Sequence, residues 1–237
     1  MSLLSIINLA QADLNLTVTS TVVTNTADAE KQLLALCTSE CKKLFKAHPW
    51  QRLITEVNFL TTATNQQTDA TAAIPSDLDR ILDETLWTRD LKQPVTGPLS
   101  PIQWQAQQGL GITAVYSSYR LRGNSFYFTP PPPAGQHVYY EYVSNKWCAS
   151  SGGTPQSAWL ADTDVCLLPE DVVQLGVVWR WLRAKGFEFS DARDEYESEK
   201  ARAIARDGTR RKLRIEGPIR LDIFGPYVAE GSWAITT

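Results

Sequence analysis

The stretch from Leu160 to Arg206 constrains the fold most, because a short apolar strand there leads into two consecutive helices with charges sorted by sign. Over 170–187 the chain reads EDVVQLGVVWRWLRAKGF. Pro169 stands where a first helical turn tolerates a missing N–H, and Glu170 and Asp171 complement the positive end of the helix. Val172, Leu175, Trp179 and Leu182 fall at i, i+3, i+7 and i+10, which predicts one apolar stripe. Arg180, Arg183 and Lys185 gather toward the negative end, and Gly186 supplies a stop. The next helix, 190–206, opens at Ser190 or Asp191 and offers only Phe189, Tyr196 and Ile204 as sizeable apolar anchors. It carries Asp191, Asp194, Glu195, Glu197 and Glu199 before Lys200, Arg202 and Arg206. So polar a helix belongs at a surface or between chains, since little of it can face its own core.

Past Asp207-Gly208 the character changes. Between Lys200 and Arg220 eight Lys or Arg stand against two acids, in a chain whose net charge is -3. Residues 209–237 show no sustained helical or strand period, are punctuated by Gly217-Pro218 and Gly225-Pro226, and still contain Ile215, Ile219, Leu221, Ile223, Phe224, Tyr227, Val228, Trp233 and Ile235. So many large apolar groups are unusual in a disordered tail. The expectation is an extended arm that orders on another protein surface, as an added strand or as side chains set into pockets. Its candidate partner-binding residues are Arg210, Arg211, Lys212, Arg214 and Arg220 for charge, and Ile215, Ile219, Leu221, Ile223, Phe224, Tyr227 and Trp233 for apolar burial.

With 237 residues, 43% of them hydrophobic and 21% charged, the chain suffices for one good core or a core plus a smaller lobe. No run of 18 apolar residues occurs, and the first ten residues lack a basic region followed by a cleavage site. The expectation is therefore no membrane span, no signal peptide and a protein kept in a cytoplasm. Cys37 and Cys41 lie one turn apart on a predicted helix, while Cys148 and Cys166 flank a Ser/Gly-rich loop. That is no secreted disulfide framework, and reduced, mostly buried thiols are expected.

Along the rest of the chain, Ser2 caps a helix 3–14 with Leu3, Ile7, Ala10 and Leu14 on one side, and 16–24 is an extended link. Asn25 or Thr26 caps a helix 27–47, with Leu33, Leu36, Cys37 and Leu44 as its stripe, ended by Pro49. From Gln51 to Tyr142 the pattern turns strand-like, in segments beginning at Leu53, Asp79, Tyr119, Ser125 and His137. Gly123-Asn124 fits a hairpin turn. One helix interrupts, capped by Ser100 with Pro101 first and Ile102 to Gln108 within it. The fold class that results is α+β: N- and C-terminal helices forming a helical body, a small antiparallel β region inserted between them, and an extended C-terminal arm. The expected divisions are 1–50 and 169–208 for the body, 51–168 for the β region and 209–237 for the arm.

Residues for catalysis are scarce. The chain has two histidines, His48 beside a helix end and His137 in a strand. Cys37, Cys41 and His48 lack the paired spacing of metal knuckles, and core packing accounts for them. Asp162-Thr-Asp164 reads as a turn and cap rather than a cation site. Nucleophile-elbow, phosphate-loop and dinucleotide motifs are absent. No catalytic residue, no metal and no cofactor are therefore assigned. The basic run at 200–220 could track phosphates, dock on an acidic protein or be a solvated face, and its overlap with large apolar groups favours docking.

The order of motifs over about 2–208 resembles the head-to-tail adaptor proteins of tailed bacteriophages. It is carried by Ile74-Pro-Ser-Asp-Leu-Asp-Arg-Ile, Gly97-Pro-Leu-Ser-Pro-Ile-Gln-Trp, Leu121-Arg-Gly-Asn, and the Pro130 to Gly135 loop with Tyr140-Glu-Tyr-Val-Ser-Asn-Lys-Trp147. Ala161-Asp-Thr-Asp164 and Leu175-Gly-Val-Val-Trp-Arg-Trp-Leu-Arg-Ala-Lys-Gly186 complete it. The resemblance implies a structural subunit at the virion neck, assembled in the host cytoplasm into a ring of twelve copies beneath the portal protein. Tail or nozzle proteins would join below, with genome DNA passing through the channel without sequence-specific recognition. On that reading the arm grips the portal and the β region meets the tail. The alternative from the residues is a carbohydrate- or nucleic-acid-binding module that uses the aromatic β region. Binding of DNA or glycan by the free monomer would favour it, whereas assembly only with portal rings would favour the connector.

Overall fold

The computed structural model describes residues 1–67, 74–110, 116–123 and 125–208. It is an α+β fold: helices α1 (Leu3–Asp13), α2 (Asp28–Ala47), α3 (Pro101–Leu110), α4 (Glu170–Lys185) and α5 (Ser190–Asp207), with small antiparallel sheets between α2 and α4. The expected extended arm, with every one of its candidate partner-binding residues, lies outside the described residues.

The helices begin and end for local reasons. Ser2 caps α1 by accepting from the Ser5 N–H at 3.2 Å. Ser100 and Gln103 form a reciprocal capping box on α3, at 3.2 Å and 2.9 Å. Gly186 closes α4 at φ +76°, with its N–H returned to the last turn. The start of α2 departs from expectation: Ala27 holds the cap position, and Asn25 instead turns its side chain back to accept from the Ala27 N–H at 3.0 Å.

Around α4 the single-stripe expectation is too narrow. Val172, Val173, Gly176, Val177, Val178, Trp179 and Trp181 are all buried, whereas Leu175 and Leu182 are only partly so. The reason is position: α1, α2 and α5 all pack against α4, so it is covered round most of its circumference. One core gathers Leu3, Ile6 and Ile7 of α1, Leu33, Cys37, Cys41 and Leu44 of α2 and the buried face of α4. It also takes Trp147, Cys148, Trp159, Cys166 and Leu168 from the segment 147–168, which holds the small sheet preceding α4. By contrast α5 commits only Tyr196 and Ala203 to full burial, as its composition requires.

The β lobe centres on β7 (His137–Ser144). It pairs along one edge with β1 (Ile54–Leu60), from Ile54 opposite Val143 to Leu60 opposite His137, and along the other with β2 (Leu78–Ile81) and β3 (Trp87–Thr88). β3 in turn pairs with β4 (Gln93–Pro94). The strand expected from Asp79 to Trp87 is thus two, broken at a turn where Glu84 takes φ +66° and the Thr85 hydroxyl donates to the Leu82 carbonyl at 2.7 Å. β5 (Ser118–Arg122) and β6 (Ser125–Thr129) make the hairpin anticipated from Gly123, which sits at φ +59°. A small sheet of β8 (Cys148–Ala149), β9 (Pro155–Gln156) and β10 (Val165–Cys166) leads into α4. Phe59, Tyr119, Phe126, Phe128 and Tyr140 fill a second core.

Candidate functional site

Several of the polar groups singled out by the sequence hold the fold together. Asp162 Oδ1 accepts from the N–H groups of Val22 and Val23 at 3.1 and 2.8 Å, tying the α1–α2 link to the segment before α4. Asp164 Oδ2 accepts from Leu160 and Ala161 at 2.7 and 2.9 Å. Both carboxylates therefore act as turn and cap acceptors. His48 Nε2 lies 3.3 Å from Asp207 Oδ2, which also accepts from the Gln51 N–H at 3.0 Å, so the end of α5 is pinned to the end of α2. His137 Nδ1 lies 3.0 Å from Asp90 Oδ2. The backbone N–H of His137, then its side chain, holds the Asp90 carboxyl below the usual range.

The two cysteine pairs, 37/41 and 148/166, far apart in sequence, converge in the helical core, and all four are reduced and buried. Cys41 contacts both Cys37 and Cys166, and burial foremost pushes its thiol well up. Cys148 is likewise pushed up to about 12 by burial. Those two thiols are held far from ionisation and are poor nucleophiles, whereas the hydrogen bond with Cys41 foremost lowers the Cys166 thiol. Among the described residues no group of three or more His, Cys, Asp or Glu is placed to hold a metal ion.

Sequence reasoning missed the most buried charge in the helical body. Glu40 of α2 has no exposed surface, receives Arg180 Nε of α4 at 2.6 Å and accepts from the Tyr196 hydroxyl of α5 at 2.5 Å. Burial, with that hydrogen bond, pushes the Tyr196 phenol up and keeps it a donor. Gly176 lets α2 approach α4 here, since a Cβ at 176 would stand 2.5 Å from Glu40 Cγ. Three helices are thus locked through one carboxylate. No local signal marked Glu40, because its partners lie 140 and 156 residues away.

What remains free is surface. α3 buries none of its residues and leaves Ile102 82% and Leu110 71% exposed. The outer side of α2 presents a shallow, open groove formed by that helix alone, along Lys31, Leu34, Ala35, Thr38, Ser39, Lys42, Lys43 and Lys46. Phe187, in the turn between α4 and α5, is 62% exposed. Asp191, Asp194 and Glu195 follow it on exposed positions of α5. In the β lobe a smaller recess holds Trp87, Tyr139 and Glu56, but Arg89 lies 3.7 Å over the Tyr139 ring and pairs with Glu56 at 2.6 Å, closing that ring face. Five further rings of the lobe pack on each other in its core, Phe126 alone meeting Phe59, Tyr119, Phe128 and Tyr140 at 5.2–6.2 Å, while Trp104 and Tyr127 meet edge-on nearer the surface. No described helix is long and apolar enough to cross a membrane. Among the described residues, the exposed apolar side chains of α3 and the turn after α4, and the lysine face of α2, are the surfaces free to meet another molecule.

Comparison with known proteins identifies a family. The sequence profile of one family, described as SU10 adaptor protein, matches residues 1–222, running past the last described residue, Gly208, into the basic stretch of sequence beyond it. No curated protein matches the chain.

Proposed function

The chain belongs to the SU10 adaptor protein family, and from that premise we propose that it forms a ring beneath the portal and joins the DNA-filled head to the tail. It is a structural adaptor of a bacteriophage, and the finer assignment is our reading. The observation that carries it is the extent of the match, which takes in the helical body, the β lobe and the start of the arm together. The exposed faces of α3 and α2 support it.

In this reading the body, 1–50 and 169–208, supplies the wall of a ring of twelve copies at the virion neck. The lobe, 51–168, faces the tail or nozzle proteins, with exposed α3 as its contact. The arm, 209–237, climbs onto the portal, its Arg210, Arg211, Lys212, Arg214 and Arg220 steering the approach and its apolar residues making the lasting contact. At roughly 3.3–3.6 Å per residue an extended arm of this length reaches on the order of 100 Å, enough to cross a neighbouring subunit. Assembly takes place in the host cytoplasm, and the genome passes through the ring without base-specific contact.

The test is to mix the purified protein with portal rings and image the product by electron microscopy, using the full chain and a chain lacking 209–237. A ring below the portal with the full chain, and folded but undocked protein with the truncation, is the expected result. A truncated protein that docks with unchanged affinity would place the portal contact in the helices. Binding of DNA or glycan by the monomer, with no portal association, would sink the adaptor reading in favour of a binding module.

A further inference from the structure

A ring built from one kind of chain needs two different faces on each copy that fit each other, because an isologous contact closes at a dimer. Two of the free surfaces described above have that relation. The shallow groove on α2 sets exposed Ala35 and partly buried Leu34 among lysines. Lys31, Lys42, Lys43 and Lys46 have no carboxylate at ion-pair distance among the described residues. The turn after α4 has the inverse pattern: an exposed aromatic, Phe187, followed by a helix whose first two turns bear Asp191, Asp194 and Glu195, likewise without a cationic partner among the described residues.

We propose that Phe187 and the acidic start of α5 on one copy dock into the lysine-rimmed groove on α2 of the next copy, forming the repeating contact of the ring. This rests on the ring reading given above. The groove lies on the side of α2 away from its own core, since Lys31, Ala35, Thr38, Lys42 and Lys46 recur at helical spacing opposite Leu33, Cys37, Glu40 and Leu44. A copy therefore cannot fill its groove through the contacts that hold α2 to α4. Asp191, Asp194 and Glu195 share one outward face of α5, from which Arg193 is turned away.

Spacing matches as well as sign. Lys42 to Lys46 and Asp191 to Glu195 each cover one helical turn, about 6 Å of rise, so the two charge sets can face each other where the helices cross. An aromatic side chain buries roughly 150–250 Å², well short of the roughly 1,200–2,000 Å² that a stable interface buries in total. A single knob and groove is thus too small to hold free copies together. It becomes effective when a template holds neighbours at high local concentration, so the expectation is monomers in isolation and rings on a portal.

The experiment is a charge swap on the full-length chain, scored by complete rings on portal in electron micrographs. The variants are Lys42→Glu with Lys46→Glu, and Asp194→Lys with Glu195→Lys. All four residues are exposed, and circular dichroism melts verify that each variant is folded. Each pair alone is expected to lower ring completion at least tenfold. The protein carrying all four changes is expected to recover, and so is an equimolar mixture of the two pairs, which can alternate around an even-membered ring. Phe187→Ala is expected to lower completion without changing the melt. Either single pair building rings as the wild type does, or no recovery by both the quadruple variant and the mixture, overturns the proposal. A zero-length carbodiimide cross-link between isotopically heavy and light wild-type copies, joining Lys42 or Lys46 to Asp191, Asp194 or Glu195, supports it independently of portal. Cross-linked wild type that never docks on portal would keep this contact and sink the placement beneath the portal.

Discussion

In the helical body the deepest polar group is a carboxylate, with Glu40 fully buried between Arg180 and Tyr196, whereas the β lobe fills its centre with rings, Phe126 and Phe128 fully buried and stacked at 6.2 Å. The two solutions fail differently. Rings gain from contact with any apolar neighbour, so losing one leaves a gap whose cost depends on how far the rest relaxes. A buried carboxylate gains only from partners in the right places, so losing it strands an opposite charge out of water. The body that forms the proposed ring wall is therefore the region with more geometric specificity, and the lobe the region more tolerant of exchange.

The sharpest way to break this contrast is Glu40→Ala, which leaves Arg180, itself little exposed, without its partner. A loss of about 3–5 kcal/mol in urea unfolding is expected. Replacing Glu40, Arg180 and Tyr196 together by Leu, Met and Phe should cost far less, because the stranded charge goes with its partner. A cost under about 1 kcal/mol for Glu40→Ala would show that the network is decorative.

Next comes Gly176→Ala. The added methyl would press on the Cγ and carboxyl carbon of Glu40, and overpacking of this kind costs about 1–3 kcal/mol. Ordinarily alanine favours a helix over glycine by roughly 1 kcal/mol, so a stabilised Gly176→Ala protein would mean that α2 can back away and that the helices are not held at close approach.

Within the lobe, Phe126→Leu keeps an apolar group of similar size but forfeits its ring pairs. A loss of about 0.5–1.5 kcal/mol beyond the area change is expected from the aromatic contacts, read from the shift in denaturation midpoint. A penalty matching that of Glu40→Ala would erase the difference between the two cores.

The smallest effect concerns acid. At Asp77, partial burial raises the carboxyl, but hydrogen bonds from the Ser144 hydroxyl, at 2.7 Å, its own backbone N–H and the Tyr142 hydroxyl, together with Lys146, outweigh it and leave the group below its ordinary range. A carboxyl depressed on folding adds stability above the unfolded pKa, and that stability is lost as pH falls through the folded one. Asp77→Asn should therefore match the wild type at the lowest pH and fall short of it above about pH 4, in urea midpoints taken from pH 2 to 7. Parallel curves across that range would remove Asp77 from the account.

Much of this molecule is written locally. Ser2, the Ser100–Gln103 box, Gly123 and Gly186 act on neighbours within four residues, so the ends of α1, α3 and α4 and the β5–β6 turn follow from the residues that form them. The polarity of α5 likewise requires an outer position, since two buried residues cannot hold a helix inside. Other features have no local trace. Glu40 reads in the chain as one more charge before Lys42 and Lys43, Gly176 as a weak point in a helix, and the cysteines as two unrelated pairs. Burial of a charge is tolerable only where a distant partner arrives, and Arg180 and Tyr196 arrive only when α4 and α5 fold back on α2. The same folding decides that Phe187 stays outside while Trp179 and Trp181 go in, and that the lysines of α2 point away from α4. Propensity and capping act within a turn or two and set where helices begin and end, while which of their faces meet is set by packing across the whole chain.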